Sequence, residues 1–235
     1  MDIKPLQKYN NLSDEHFENF GPPKPNKPLG TLDYFRYDFV YRSILPGSVL
    51  DVGTYYGDFL KMALDDGREI YGTDINQARV DLSNRLIGKN VVVEDFRNGN
   101  LKQFSDNSID NVICMEAVEH VPDDRHAVHE LCRVARNNVV VTVPFRERIL
   151  EVLCVHCNTY TPHSCHMHSY DMGIIANLLP AQWQVIEEEH FGKRLTRFFA
   201  ARLPNTDLSR VILKIVDNIS FGTGAWLKVT LRPEK

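Results

Sequence analysis

Seven of the seventeen residues in CVHCNTYTPHSCHMHSY, positions 154 to 170, are cysteine or histidine. Cys154 and Cys157 form a C-x-x-C pair, a spacing that turns two thiolates toward one ion and fills half of a tetrahedral zinc shell. Eight residues separate Cys157 from His166, enough chain to fold back and present an imidazole, with His163, Cys165 or His168 as fourth ligand. Structural zinc held by Cys154, Cys157, His163 and His166 is the favoured expectation, because a stretch this polar buries too little apolar surface to order itself. Two other chemistries stay open: an acid/base cluster facing a substrate, built on His166 and His168, and thiols that are reactive or incidental.

A second concentration of chemistry lies in VLDVGTYYGDFL, residues 49 to 60. Asp51, Gly53 and Gly57 follow D-x-G-x-x-x-G, with Thr54 and Tyr55 between the glycines; glycine there permits positive φ and close approach of backbone to a ligand. The dinucleotide spacing G-x-G-x-x-G fails at Tyr55 and at Asp58, which weakens an NAD-dependent oxidoreductase reading. A carboxylate at Asp51 suits a cofactor that carries positive charge and no phosphate. Asp74 and Ile75 end the apolar run EIYGTDI, and a carboxylate at a strand's carboxyl end can accept from both hydroxyls of a ribose. Asp74 could equally cap a helix starting near Gln77, and Asp95 in VEDF could be a solvated turn residue.

With those residues in place, VLDVGTYYGDFL resembles the first motif of class I S-adenosylmethionine-dependent methyltransferases, Tyr55 standing where the middle glycine is usual. The resemblance implies S-adenosylmethionine as cofactor: Asp51, Gly53, Thr54, Tyr55 and Gly57 in the loop, Asp74 and Ile75 at the ribose, Asp95 on the adenine amine with Phe96 beside the ring, and Glu116 near the methionine moiety. MEAVEHVPD and HELCRVARNNVVVTVP look like the superfamily's E-H-x-x-D turn, R-V helix end and V-P strand end. Asn137 and Asn138 replace a usual glycine pair, as asparagine's tolerance of left-handed backbone allows. The Cys/His segment is similar to that of a subset in which C-x-x-C precedes a histidine and, four residues on, an aromatic; Cys154, Cys157, His166 and Tyr170 match, with Cys165 replacing a common glycine. The implied activity is methyl transfer to a small-molecule acceptor, expected at a hydroxyl of a sugar-containing or secondary metabolite. His120, His166 or His168 would act as base; His120 reads equally as a satisfied histidine at a strand end. The competing class is a non-catalytic cofactor- or partner-binding module on the same fold.

The elements that must carry these residues follow from periodicity. Short apolar runs, SVLDVG, EIYGTDI, NVVVEDF, NVICMEAVEHV and NNVVVTVPF, alternate with helical stretches such as GDFLKMALDD, NQARVDLSNRLI and RHAVHELCRVA. Continuous apolar strands separated by amphipathic helices predict a doubly wound, mostly parallel α/β sheet with helices on both faces, the Rossmann-like fold that the resemblance also implies. TLDYFRYDFVYRSIL predicts a helix capped by Thr31, with Leu32, Phe35 and Phe39 on the face packed under the first strand. A helix at residues 170 to 179, a strand at WQVIEEEHF, and a last strand at either RFFAARL or AWLKVTL complete the expectation.

Composition narrows the partners. The chain's 235 residues, 43% hydrophobic and 25% charged, fit one domain over residues 31 to 235, with a Cys/His-rich insertion at about 150 to 170. GPPKPNKPLG cannot form a regular element, so residues 1 to 30 read as an arm and Pro-rich connector; the arm, residues 1 to 20, is expected to close over the substrate mouth or, equally, to be a frayed tail. A formal charge of -4 disfavours a nucleic-acid partner. The absence of a long apolar run or a signal-like amino terminus leads to the expectation of a cytoplasmic protein with no membrane partner. Five cysteines, with Cys114 and Cys132 in apolar segments, argue against a disulfide framework.

Overall fold

The computed structural model describes residues 30–88, 90–153, 158–162 and 164–234. The arm, residues 1–29, and three of the expected zinc ligands, Cys154, Cys157 and His163, lie outside the described residues. In chain order the elements are α1 (Thr31–Tyr41), β1 (Val49–Val52), α2 (Asp58–Asp65), β2 (Ile70–Asp74), α3 (Gln77–Ile87), β3 (Val91–Val93), β4 (Ile109–Met115), α4 (Asp124–Val134), β5 (Ala135–Pro144), β6 (Glu151–Leu153), β7 (Tyr160–Pro162), β8 (Trp183–Phe191), α5 (Arg194–Ala200), α6 (Asp207–Ile219) and β9 (Trp226–Pro233).

Seven strands form one sheet in the order β3-β2-β1-β4-β5-β9-β8. β1 to β5 run parallel, and β9 and β8 are antiparallel to their neighbours. The period of two is visible in the packing: Leu50, Val52, Val112 and Cys114 join one core cluster with Val128 and Leu131 of α4. Val49 and Ile113 join the opposite cluster with Phe59, Leu60 and Val80 of α2 and α3. Both faces are thus covered, as parallel strands require. The strand order reverses between β1 and β4, opening a crevice at their carboxyl ends where open α/β sheets take their ligands.

Several local expectations differ from the structure. Gly30, not Thr31, is the cap of α1; Asp33 accepts from the Gly30 N–H at 3.0 Å, and the Thr31 hydroxyl donates to the Leu203 carbonyl at 2.8 Å. Phe35 and Phe39 pack against Phe191, Ala200 and Leu213, while Val40 and the partly buried Tyr37 and Tyr41 meet the first-strand side. α1 therefore bridges the first strand and the carboxyl-terminal helices. Residues 170 to 179 contain only a 3-10 turn, Ile175–Leu178, because Gly173 adopts φ 80° and Tyr170 is held in a bridge to Phe145. RFFAARL lies within and just after α5, and AWLKVTL belongs to β9.

Asn137 and Asn138 do not turn. α4 passes directly into β5, and both asparagines are extended within it, the buried Asn138 donating to the Ser43 carbonyl at 3.0 Å and to Asn111 Oδ1 at 3.3 Å. The Cys/His segment is built on a two-stranded antiparallel ribbon, β6–β7, with Leu153 opposite Tyr160.

Candidate functional site

Three loops meet at the crevice. In the first, after β1, Gly53 has φ 81° and Gly57 φ 83°. A Cβ at Gly57 would come within 3.0 Å of Ser83 Cβ, and one at Gly53 within 3.4 Å of Ala117 Cβ. Tyr55, at the position of the usual glycine, takes φ 56°, so the left-handed turn survives with a side chain on it. Its ring is 43% exposed, lies 3.9 Å from the Tyr56 ring and sits beneath the Arg79 guanidinium at 4.7 Å. An aromatic side chain is thereby added to the rim of the loop without changing its path.

Asp74 ties this loop to β2. Its carboxylate accepts from the Tyr55 N–H at 3.0 Å and the Asn76 N–H at 2.9 Å, with Arg79 3.8 Å away. The cap of α3 is Asn76, whose side chain accepts from the Arg79 N–H at 3.1 Å. Asp74 is therefore not the helix cap. Ile75 follows, half-buried. Asp51, 1% exposed, has an Oδ1 without a hydrogen-bond partner, and the buried Thr54 Oγ1 is likewise unpartnered. Burial foremost, with the Asp74 charge adding to it, pushes the Asp51 carboxyl up to about 7. Buried polar atoms left unsatisfied are costly, and a cationic ligand group would stabilise the Asp51 carboxylate. The residues present thus fit a cofactor with sulfonium and ammonium charges.

The adenine expectation for the third strand fits less well. Asp95 is engaged by its neighbour: Arg97 Nε and Nη2 donate to it at 2.9 and 2.8 Å. Burial raises the Asp95 carboxyl, but these bonds outweigh it and hold the group below the usual range. Phe96, only 7% exposed, packs into the core with Leu101 and Leu131 rather than lining the crevice. That burial leaves little of the Phe96 ring for the implied contact beside an adenine.

The second loop follows β4. Glu116 takes φ 53°, receives the Thr142 hydroxyl at 3.2 Å and lies 3.6 Å from Arg36 of α1, whose guanidinium sits 4.5 Å over the Trp226 ring. Burial raises its carboxyl, against the lowering effect of Arg36. Three residues on, Glu119 is 0% exposed and neither carboxylate oxygen has a hydrogen-bond partner. Burial, reinforced by the Glu116 charge, drives its carboxyl well above the ordinary range.

The third loop, from the Cys/His segment, brings His166 onto this pair. The rings of His120 and His166 meet edge to face at 4.7 Å, and His166 Nδ1 is paired with Glu147. His120 Nδ1 lies 3.1 Å from the Cys165 carbonyl oxygen. A carbonyl only accepts, so Nδ1 carries the proton and Nε2 the lone pair. Burial, followed by the charge of His166, lowers His120 to about 4, keeping the imidazole neutral at physiological pH. Ligand atoms of Glu119, His120 and His166 lie within 4.8 Å of one another, a carboxylate and imidazole set suited to a divalent cation. Beside them is a depression of roughly 280 Å³ lined by Glu147, Arg148, Ile149, Leu150, Pro162, Ser164 and His166.

His168 stands apart from this group. Its Nε2 donates to the Val121 carbonyl at 2.8 Å, and Asp124, which accepts from the Tyr170 hydroxyl at 3.1 Å, lies 3.7 Å from its Nδ1. His168 fastens the segment to the start of α4. Sequence reasoning missed Glu119, Glu147 and Arg36. Glu119 had a visible signal, a carboxylate three residues after Glu116 and next to His120 in an apolar run; Glu147 and Arg36 reach the site only through the fold.

Residues 50–143 match the family described as "Methyltransferase domain". The chain is 30% identical over 142 residues to the "Ubiquinone biosynthesis O-methyltransferase" of Hahella chejuensis, covering 58% of each chain. A protein of the same name from Alkalilimnicola ehrlichii is 32% identical over 117 residues, covering 47% of each. The chain thus spans about half the length of these relatives. Among solved structures, an S-adenosylmethionine-dependent methyltransferase from Mesorhizobium loti superposes with a TM-score of 0.59 at 14% identity, over 86% of this chain and 100% of the other. The [4+2]-cyclase SpnF superposes with 0.58 at 16% identity, over 85% and 80%. Fold likeness therefore spans more than one reaction, and the family match over residues 50–143 is the narrower finding. Over residues 50–143 the chain thus resembles a methyltransferase domain, and its fold is like that of a solved S-adenosylmethionine-dependent methyltransferase.

Proposed function

We propose that the protein transfers the methyl group of S-adenosylmethionine to a hydroxyl of a small-molecule acceptor, with His120 as the base. The observation that carries this reading is the His120 tautomer: Nδ1 is engaged by the Cys165 carbonyl at 3.1 Å, which leaves the basic lone pair on Nε2. When bound, the cofactor supplies a methyl carbon already activated by its sulfonium. Asp51, Gly53, Thr54, Tyr55 and Gly57 would shape its loop, Asp74 and Ile75 would hold the ribose, and Glu116 would stand at the methionine end. Asp95 would reach the adenine amine only by sharing or releasing Arg97.

His120 would accept the proton as the acceptor oxygen attacks, an in-line displacement in which alignment and exclusion of water do most of the work. The imidazolium so formed would be stabilised by the Glu147 carboxylate and the Cys165 carbonyl, which act against the burial and the His166 charge that disfavour it. Similarity to O-methyltransferases supports oxygen as the acceptor atom. The acceptor is read as a sugar-containing or secondary metabolite. The expected ribbon zinc, on Cys154, Cys157 and His163 with His166, competes for His166 with the Glu119–His120 set.

Incubating the protein with methyl-labelled cofactor and parallel panels of phenols, glycosides and amines, then weighing products by mass spectrometry, tests the reading. Label on a phenolic or sugar oxygen supports it. Label on amines alone, or none beside intact S-adenosylhomocysteine binding, favours other acceptors or a binding module.

A further inference from the structure

The helix α6 is turned inside out. It buries Ser209 and Asp217 along with Leu213, and presents Leu208, Val211, Ile212, Ile215 and Ile219 to the outside. Leu208 and Ile219 are each 69% exposed, and Phe221, just past the helix, is 100% exposed. Spacings of three and four residues place the five apolar side chains on one stripe. The orientation is locked from within: the Asp217 carboxylate accepts from the Gly192 and Lys193 N–H groups at 3.2 and 2.8 Å and from the Thr196 hydroxyl at 2.6 Å. Rotating the helix to bury its stripe would strip a buried carboxylate of three donors, so the exposed face is built into the fold.

α5 packs alongside α6 and continues the surface with exposed Leu195, Phe198 and Phe199. Interleaved with them are Arg194, Arg197 and Arg202, all exposed. Arg194 and Arg197 have no carboxylate partner among the described residues, and Arg202 stacks on Phe198 at 3.6 Å. α5 itself carries no acidic residue, and Asp207 at the start of α6 is paired with Arg210. Contiguous apolar surface of this extent marks an interaction site in a soluble protein.

We propose that the α5–α6 face docks on an anionic lipid bilayer, the apolar stripe entering the headgroup boundary and the α5 arginines meeting lipid phosphates. Charge complementarity selects this occupant. An apolar stripe flanked by unpaired arginines is what an interfacial helix requires, whereas a second copy would bring the same cationic rim with no acidic counterpart. No described helix is long and apolar enough to cross a membrane, and surface docking needs none. The proposal departs from the expectation of no membrane partner without calling for a membrane span.

Flotation of the full chain with vesicles of phosphatidylcholine alone, and with vesicles that also contain phosphatidylglycerol, tests the proposal. The protein is expected to float with the anionic vesicles and much less with the neutral ones. Ile215→Glu combined with Ile219→Glu, and separately Arg194→Glu with Arg197→Glu, are each expected to weaken partitioning roughly tenfold. Thermal melting and S-adenosylhomocysteine affinity serve as folding controls, since these side chains point away from the core. Absence of vesicle binding overturns the proposal, as does binding that survives both pairs of substitutions. Wild-type dimers in sedimentation that Ile215→Glu dissociates, without vesicle binding, would assign the face to a second copy instead.

Discussion

The Tyr55 backbone N–H donates to Asp74 Oδ2 at 3.0 Å, linking the loop after β1 to the end of β2. One carboxylate thus sets the shape of the glycine loop, and on the proposed reading would also hold the ribose, so deleting it would affect both roles.

Asp74→Ala is expected to weaken S-adenosylhomocysteine binding by roughly 1.5–3 kcal/mol, the worth of charge-assisted hydrogen bonds to a carboxylate. Asp74→Asn, which keeps an acceptor for the Tyr55 N–H, should lose less. Calorimetry that finds both variants within threefold of wild type removes Asp74 from the binding site.

His120→Asn should lower kcat by roughly 10²–10⁴-fold, the usual contribution of a positioned base, and leave cofactor affinity unchanged. Because His120 is lowered to about 4, wild-type kcat should stay flat from about pH 6 upward. A rate that climbs between about pH 6 and 8 and is unaltered by the substitution would move the base elsewhere.

Asp51 predicts a pH-dependent cofactor effect. Its folded carboxyl, raised from 3.8 to about 7, binds a proton more tightly than in the unfolded chain. The unliganded protein should therefore lose stability as pH rises from about 4 to 7, by roughly 4 kcal/mol at most. A cationic ligand group beside Asp51 lowers that pKa again, so binding releases a proton and tightens as pH increases through 7. The cofactor-induced rise in Tm should be larger at about pH 8 than at about pH 6, and Asp51→Asn should flatten the difference. An identical rise at both pH values would show that no cationic group reaches Asp51.

Metal analysis of purified protein is expected to give about one zinc per chain. Cys154→Ser should release it while cofactor affinity holds, because the β1 loop is built on separate elements. Retention of the metal in that variant, with loss in Glu119→Gln, would assign it to the Glu119–His120–His166 set.

The architecture was legible because it rests on periodicity: buried runs such as VLDV and NVVVTVP have no other stable use than central strands. The turn after β1 was legible because Gly53 and Gly57 set its left-handed backbone locally. What escaped depends on which side chains meet. Arg97 captures Asp95 from two residues away, a choice that spacing leaves open, Phe96 turns to the core, and His168 reaches Val121 and Asp124 only through the fold. Asn138 was misread for a related reason: the same polar side chain suits a turn or a buried bridge, and only Ser43 and Asn111 decide between them.

Tyr55, Glu116 and Cys165 all hold left-handed backbone without being glycine, and all border the crevice. Each such residue costs on the order of 1–3 kcal/mol that the surroundings must outweigh, whereas the sheet beneath carries no such burden. On warming, the rim should relax in a local transition before the strands separate. Heat inactivation is therefore expected at a lower temperature than global melting, and bound cofactor should narrow the gap by bracing the loops that hold Tyr55 and Glu116.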